Sequence, residues 1–195
     1  MFAFRMTNLY RITLTVSFIF LVCTGKSQTV NTTVRPANWA EKINLSTLHN
    51  FYKVDANVYR SEQPGKKSMH QLDSMGIKTV INLKQHKADD DKAEKTNLVL
   101  VQIPMKAGTI SYTDVVAGVK TIMQAKKPVL VHCKHGSDRT GCMIAAYRIV
   151  KCGWTKEEAI KELREGGFGF HEGAYPNIIN LINTLDIEKL KKDVL

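Results

Sequence analysis

Apolar residues along this chain switch between two spacings, and the switches mark out its elements. Phe51 to Val54 and Val58 to Arg60 alternate in the manner of paired strands, with Asp55-Ala56-Asn57 as the turn between them. Met69, Leu72 and Met75 fall at helical spacing, predicting a helix over 66–75 that Gly76 terminates. The run 79–83 is a buried strand, a charged loop carrying Asp89, Asp90 and Asp91 follows, and 98–105 is a further strand. Thr113 is expected to cap a helix that continues to about 125, and Pro128 opens a short apolar strand to Val131. Helices are predicted near 141–151 and 155–165, the second with Thr155 and Glu158 as a capping box. A glycine-rich turn over 166–173 leads to a last helix over 176–192. Strands separated by helical crossovers predict an α/β fold, a central and mainly parallel sheet flanked by helices. In such sheets a site belongs at the carboxyl ends of the strands.

The N-terminus follows another pattern. Arg5 and Arg11 precede an apolar run over 12–23, and small and polar residues follow it. This reads as a signal peptide over 1–27, because the run is short for a membrane span. A retained N-terminal anchor is the alternative. Residues 28–45 are polar and read as a flexible lead-in to a domain over 46–195. Export, to a periplasm or to the outside, is therefore expected. The 195 residues suffice for one domain with a sizeable core, and 44% hydrophobic with 24% charged residues are globular values. The net charge of +10 drops to about +7 without the leader, favouring anionic substrates and admitting an anionic membrane surface as a partner. The lysines are dispersed and no basic-aromatic stripe occurs, so nucleic acid is not an expected partner. A monomer is expected. Cys142 and Cys152 stand near opposite ends of one predicted helix, too far apart to bridge, and read as buried free thiols.

The candidate chemistry is concentrated in His132-Cys133-Lys134-His135-Gly136-Ser137-Asp138-Arg139-Thr140-Gly141. A strand here delivers a cysteine into a tight turn that opens a helix. Amides at a helix N-terminus converge on an anion, and their field favours a thiolate at Cys133. Arg139 offers a planar fork to two phosphoryl oxygens. Gly136 permits a turn with positive φ, and Gly141 permits close packing at the helix start. A cysteine-dependent phosphatase is the first reading. A phosphate-binding module without turnover and a sulfurtransferase-like thiol enzyme are the rivals.

H-C-x-x-G-x-x-R-T-G resembles the signature loop of the protein tyrosine phosphatase superfamily, in its compact dual-specificity-like branch. Residues 57–64 and 77–83 look like the bacterial, fungal and plant members of that branch. The resemblance implies a protein tyrosine phosphatase-like fold, with Cys133 as the nucleophile of a phosphocysteine intermediate and Arg139 as the phosphate clamp. It further implies that Thr140 assists the departing sulfur and that His132 supports the loop. Lys134, His135, Gly136, Ser137 and Gly141 become the substrate-binding positions. The implied substrates are phosphorylated protein, phosphoinositide or inositol phosphate, and Lys134 and His135 suit more than one phosphate. No cofactor is implied. No metal site is expected either, because the cysteine between His132 and His135 is needed as nucleophile.

One part of the family pattern is missing. The aspartate that usually protonates the leaving group stands on a mobile loop upstream of the nucleophile, yet 103–111 contains no carboxylate. Asp138 inside the loop is the substitute weighed first, on condition that its side chain turns outward. Asp114 is the second. His171 and Glu172 read as surface residues, and Asp89 to Asp91 as a solvated loop.

Overall fold

Six strands and six helices develop from residues 35–195, the part of the chain that the computed structural model describes. The strands are β1 (Glu41–Lys42), β2 (Tyr52–Lys53), β3 (Val58–Ser61), β4 (Thr79–Lys84), β5 (Val99–Met105) and β6 (Val129–His132). They form one sheet in the order β1-β2-β3-β6-β4-β5. β3, β6, β4 and β5 are parallel, and β2 and β1 add an antiparallel edge. The expected mainly parallel sheet is present. β6, last in sequence, is inserted between β3 and β4 and is buried along its whole length.

Period-two alternation on β6 sends side chains to both faces. Val129 and Val131 join the larger core, beneath α2 (Tyr112–Gln124), α3 (Asp138–Cys152), α4 (Lys156–Glu165), α5 (Pro176–Thr184) and α6 (Ile187–Val194). Leu130 faces the other side and packs with Met69 and Leu72 of α1 (Lys66–Ser74) and with Phe51 and Ile77. Helices therefore cover both faces, as a parallel sheet requires.

Four expectations need correction. The flexible lead-in is folded over its second half: Arg35 donates through Nε to Ala40 O at 2.9 Å and through Nη1 to Gly166 O at 2.9 Å, and β1 pairs with β2. Arg35 also lies over the rings of Trp39, Tyr52 and Phe168, a long-range stack that polar composition does not reveal. The cap of α2 is Ser111, not Thr113; its hydroxyl accepts from Asp114 N–H while the Asp114 carboxylate accepts from Ser111 N–H at 2.8 Å. The single C-terminal helix is two, because Asp186 caps a new helix by accepting from Lys189 N–H. Cys142 is buried as expected, but Cys152 is exposed at the end of α3. The signal-peptide reading of 1–27 and the first part of the lead-in fall outside the described residues. No helix among the described residues is long and apolar enough to cross a membrane.

Candidate active site

β6 ends at His132, and the chain then turns through 133–137 into α3. The turn is held from outside by its carbonyls. Lys134 O accepts from Gln63 N–H at 3.2 Å, His135 O from Asn50 Nδ2 at 2.8 Å, and Gly136 O from Arg60 Nη2 at 2.7 Å. In a trans peptide the N–H points opposite to the carbonyl. Three outward carbonyls therefore turn the N–H groups of His135, Gly136 and Ser137 toward the inside of the loop. Ser137 N-caps α3 without using its side chain, since its hydroxyl donates to Phe168 O at 2.7 Å. The first-turn amides of a 15-residue helix thus stay available to an anion.

Gly136 has no workable substitute. Its φ is +73°, and a Cβ there would lie 2.4 Å from Ser61 O and 2.7 Å from Glu62 N. Directly beneath, Arg60 is 1% exposed and stacks 3.6 Å from the Phe168 ring centroid. Burial lowers Arg60 to about 10, opposed by Glu162 and Cys133, so it remains a cation at neutral pH. It supplies positive charge under the loop from a strand that otherwise reads as core.

Cys133 is 2% exposed at the base of this cup. The fully buried His132 ring lies between two acceptors: Nε2 is 2.9 Å from Asp89 Oδ2 and Nδ1 is 3.1 Å from Cys133 O. A carboxylate and a carbonyl both accept, so the ring is held in place from both of its nitrogens. Asp89 also accepts from Lys92 Nζ at 2.8 Å and Gln63 Nε2 at 2.9 Å. Burial alone would raise its carboxyl, but hydrogen bonding and charge from His132, then Lys92 and Gln63, outweigh that and hold it well below the usual carboxylate range. Arg139 is half-buried, with Nη1 3.4 Å from Met105 O and a buried Nε without a partner among the described residues. Converging amides, a helix N-terminus and a guanidinium are the groups that suit a tetrahedral oxyanion.

The sequence profile of the dual specificity phosphatase catalytic domain matches residues 58–175, from β3 through the signature loop to the turn before α5. The chain belongs to the dual specificity phosphatase family. It is 35% identical over 139 residues to the dual specificity protein phosphatase TpbA of Pseudomonas aeruginosa (strain UCBPP-PA14), across 69% of this chain and 62% of TpbA. The chain thus spans about three fifths of the length of the curated relatives it matches first. The inositol diphosphatase DSP3 of Arabidopsis thaliana is 25% identical over 161 residues, 77% of each chain. Among solved structures, P. aeruginosa TpbA in complex with phosphotyrosine superposes with a TM-score of 0.74 at 29% identity, covering 82% of this chain and 98% of that one.

In this member of the family the remaining predicted residues divide. Cys133, Arg139, His132 and the loop amides come together. Thr140 is buried against the loop, but its hydroxyl has no hydrogen-bond partner among the described residues, so the implied contact with sulfur is not formed. Asp138 does not turn outward. Its Oδ1 accepts from His171 N–H at 3.0 Å, and the ring Nδ1 lies 3.1 Å away. Asp114 is spent on the α2 cap. His171 is half-exposed, with its ring centroid 6.1 Å from that of His135, which places it at the loop rather than on remote surface. Lys134 and His135 are exposed beside the cup.

Sequence reasoning missed Arg60, Asn50, Gln63 and Asp89, and misplaced His171. The one available signal was Arg60, a charged residue in a strand otherwise patterned for burial.

Proposed function

We propose that this chain is a metal-independent phosphatase working through a cysteinyl-phosphate. Cys133 Sγ attacks phosphorus while Arg139 and the loop amides hold the non-bridging oxygens, and the bond to the leaving oxygen breaks. Water then attacks the phosphocysteine, releasing orthophosphate and the thiolate. Preorganised donors supply most of the rate enhancement, because charge develops where they already point. The observation that carries the reading is the loop itself: three carbonyls fastened outward leave the amides converging above Cys133.

The proton for the leaving oxygen is assigned to the half-exposed ring of His171, which the inward-turned Asp138 carboxylate positions from 3.1 Å. Phosphotyrosine protein and inositol phosphates are the substrate classes, in line with the names of the relatives. The basic start and short apolar run over 1–27 support export, with a retained N-terminal anchor as the alternative.

Hydrolysis of para-nitrophenyl phosphate by reduced protein with EDTA present tests the chemistry. Wild type turns over and Cys133→Ser does not; a silent wild type with a titratable thiol would overturn the proposal. Asp138→Asn is expected to slow phenyl phosphate more than para-nitrophenyl phosphate, roughly 10²-fold against a few-fold, because the poorer leaving group needs the proton more. Equal losses would remove Asp138 from proton transfer.

A further inference from the structure

Most of what fixes the phosphate loop leads back to one residue of the glycine-rich turn, Phe168, which is 2% exposed. Its carbonyl oxygen accepts twice, from Ser137 Oγ at 2.7 Å and from Asn50 Nδ2 at 2.9 Å. The same Asn50 nitrogen donates to His135 O at 2.8 Å. The Phe168 ring centroid lies 3.6 Å from the Arg60 guanidinium, whose Nη2 donates to Gly136 O at 2.7 Å. Three successive loop positions, His135, Gly136 and Ser137, are thus held by groups that Phe168 holds in turn.

The turn is built to bring this residue inward. Gly166 leaves room for the ring, since a Cβ there would lie 2.4 Å from Phe168 Cε2. Tyr52 packs edge-on against the ring, 4.8 Å between centroids, and donates its hydroxyl to Gly167 O at 3.2 Å. Arg35 adds an outer brace, reaching Gly166 O and lying 5.7 Å from the ring centroid. Arg60 depends on the ring most. It is 1% exposed, and its Nε has no hydrogen-bond partner among the described residues. The negative ring face, with the charge of Glu162, therefore replaces water around the buried cation.

Three residues further on, the turn reaches His171, whose N–H donates to Asp138 Oδ1 at 3.0 Å. Ser137 and Asp138, adjacent at the start of α3, grip the turn at Phe168 and at His171. We infer that Phe168 is a positioning residue for phosphoryl transfer: it keeps the loop amides convergent through Asn50, Arg60 and Ser137, and seats His171 beside them through the turn. This rests on the phosphatase reading of Cys133 and Arg139. The loop and its proton donor share one support. A displacement of about 1 Å in such a support can cost on the order of 10²-fold in rate.

The test is inhibition of para-nitrophenyl phosphate hydrolysis by orthophosphate, using the reduced full chain with EDTA, well below the melting transition of each variant. Orthophosphate meets the amides and Arg139 without needing a proton donor, so its Ki reads the loop. Phe168→Leu keeps apolar bulk but removes the aromatic face. Asn50→Gly removes the shared donor and suits the native φ of 49°. Each should raise Ki about tenfold. In Phe168→Leu, kcat should also fall further for phenyl phosphate than for para-nitrophenyl phosphate, because His171 shifts with the turn. Ile182→Ala, at a buried residue of α5 in the same core, should lower Tm and leave Ki unchanged. An unchanged Ki in Phe168→Leu, or in Asn50→Gly where the leucine variant does not fold, overturns the proposal while continued turnover preserves the phosphatase reading. An equal rise in Ile182→Ala overturns it as well, as a general effect of stability. A wild type silent toward the ester overturns both.

Discussion

Asp89 shows how one residue can carry a site it never enters. It fixes the His132 ring from below, and through that ring the carbonyl of Cys133, while also gathering Lys92 and Gln63. Its carboxyl is held below its value in the unfolded chain, near 3.9. Between the two values the unfolded chain binds more protons, so stability rises with pH there. The contribution is complete above about pH 4 and is lost as pH falls through the folded value. Asp89→Asn has no such group to titrate. Urea midpoints at pH 3 and pH 6 should therefore differ more in wild type than in Asp89→Asn, and equal differences would remove Asp89 as an acid-labile support. Sequence gave no hint of this, because Asp89 opens a run of three acids that looks like any solvated loop. Asp90 is in fact exposed, and only Asp89 turns inward to the His132 ring.

At the scale of elements, the helices behind the sheet are joined by a buried ion pair. Arg148 of α3 donates to Glu162 of α4 through Nε at 3.1 Å and Nη2 at 3.0 Å, both side chains nearly inaccessible. Arg148 also lies 4.3 Å from the Trp154 ring centroid. Arg148→Met should cost about 3–5 kcal/mol in urea unfolding, because it strands Glu162 as a buried charge. A loss below about 1 kcal/mol would show that water or rotation compensates the carboxylate. The elements themselves were largely legible. The strand-turn-helix around Cys133, the capping box at Thr155 and the helix ended by Gly76 all follow from local spacing and cap chemistry. What local spacing does not contain is a competition between neighbouring caps. Ser111 prevails over Thr113 because Asp114 can reciprocate only with the residue three positions before it, and Asp186 splits the last helix because its carboxylate offers a fresh cap.

Across the whole molecule, the least legible feature is the one that closes it. Residues 35–42 are polar by composition, yet Ala40 N–H donates to Glu162 Oε1 at 2.6 Å and Arg35 reaches Gly166 O. No periodicity announces such a long-range clasp, since its partners lie at the opposite end of the sequence. A chain beginning at residue 28 should be more stable than one beginning at residue 46. The missing donor to Glu162 alone is worth about 2 kcal/mol, or about 6 °C in Tm for a domain of this size. Indistinguishable melting curves would mean that the clasp contributes nothing.

The position of β6 has a consequence for the order in which reactivity arises. Its partners β3 and β4 come far earlier in the chain, so the cup closes only when pairings that are distant in sequence are complete. Until then no amides converge, Arg60 is hydrated and His132 has no carboxylate beside it; Cys133 is an unremarkable thiol in an extended segment. Chemical competence is thus created by the final assembly of the sheet. Regained turnover after dilution from denaturant would time that assembly.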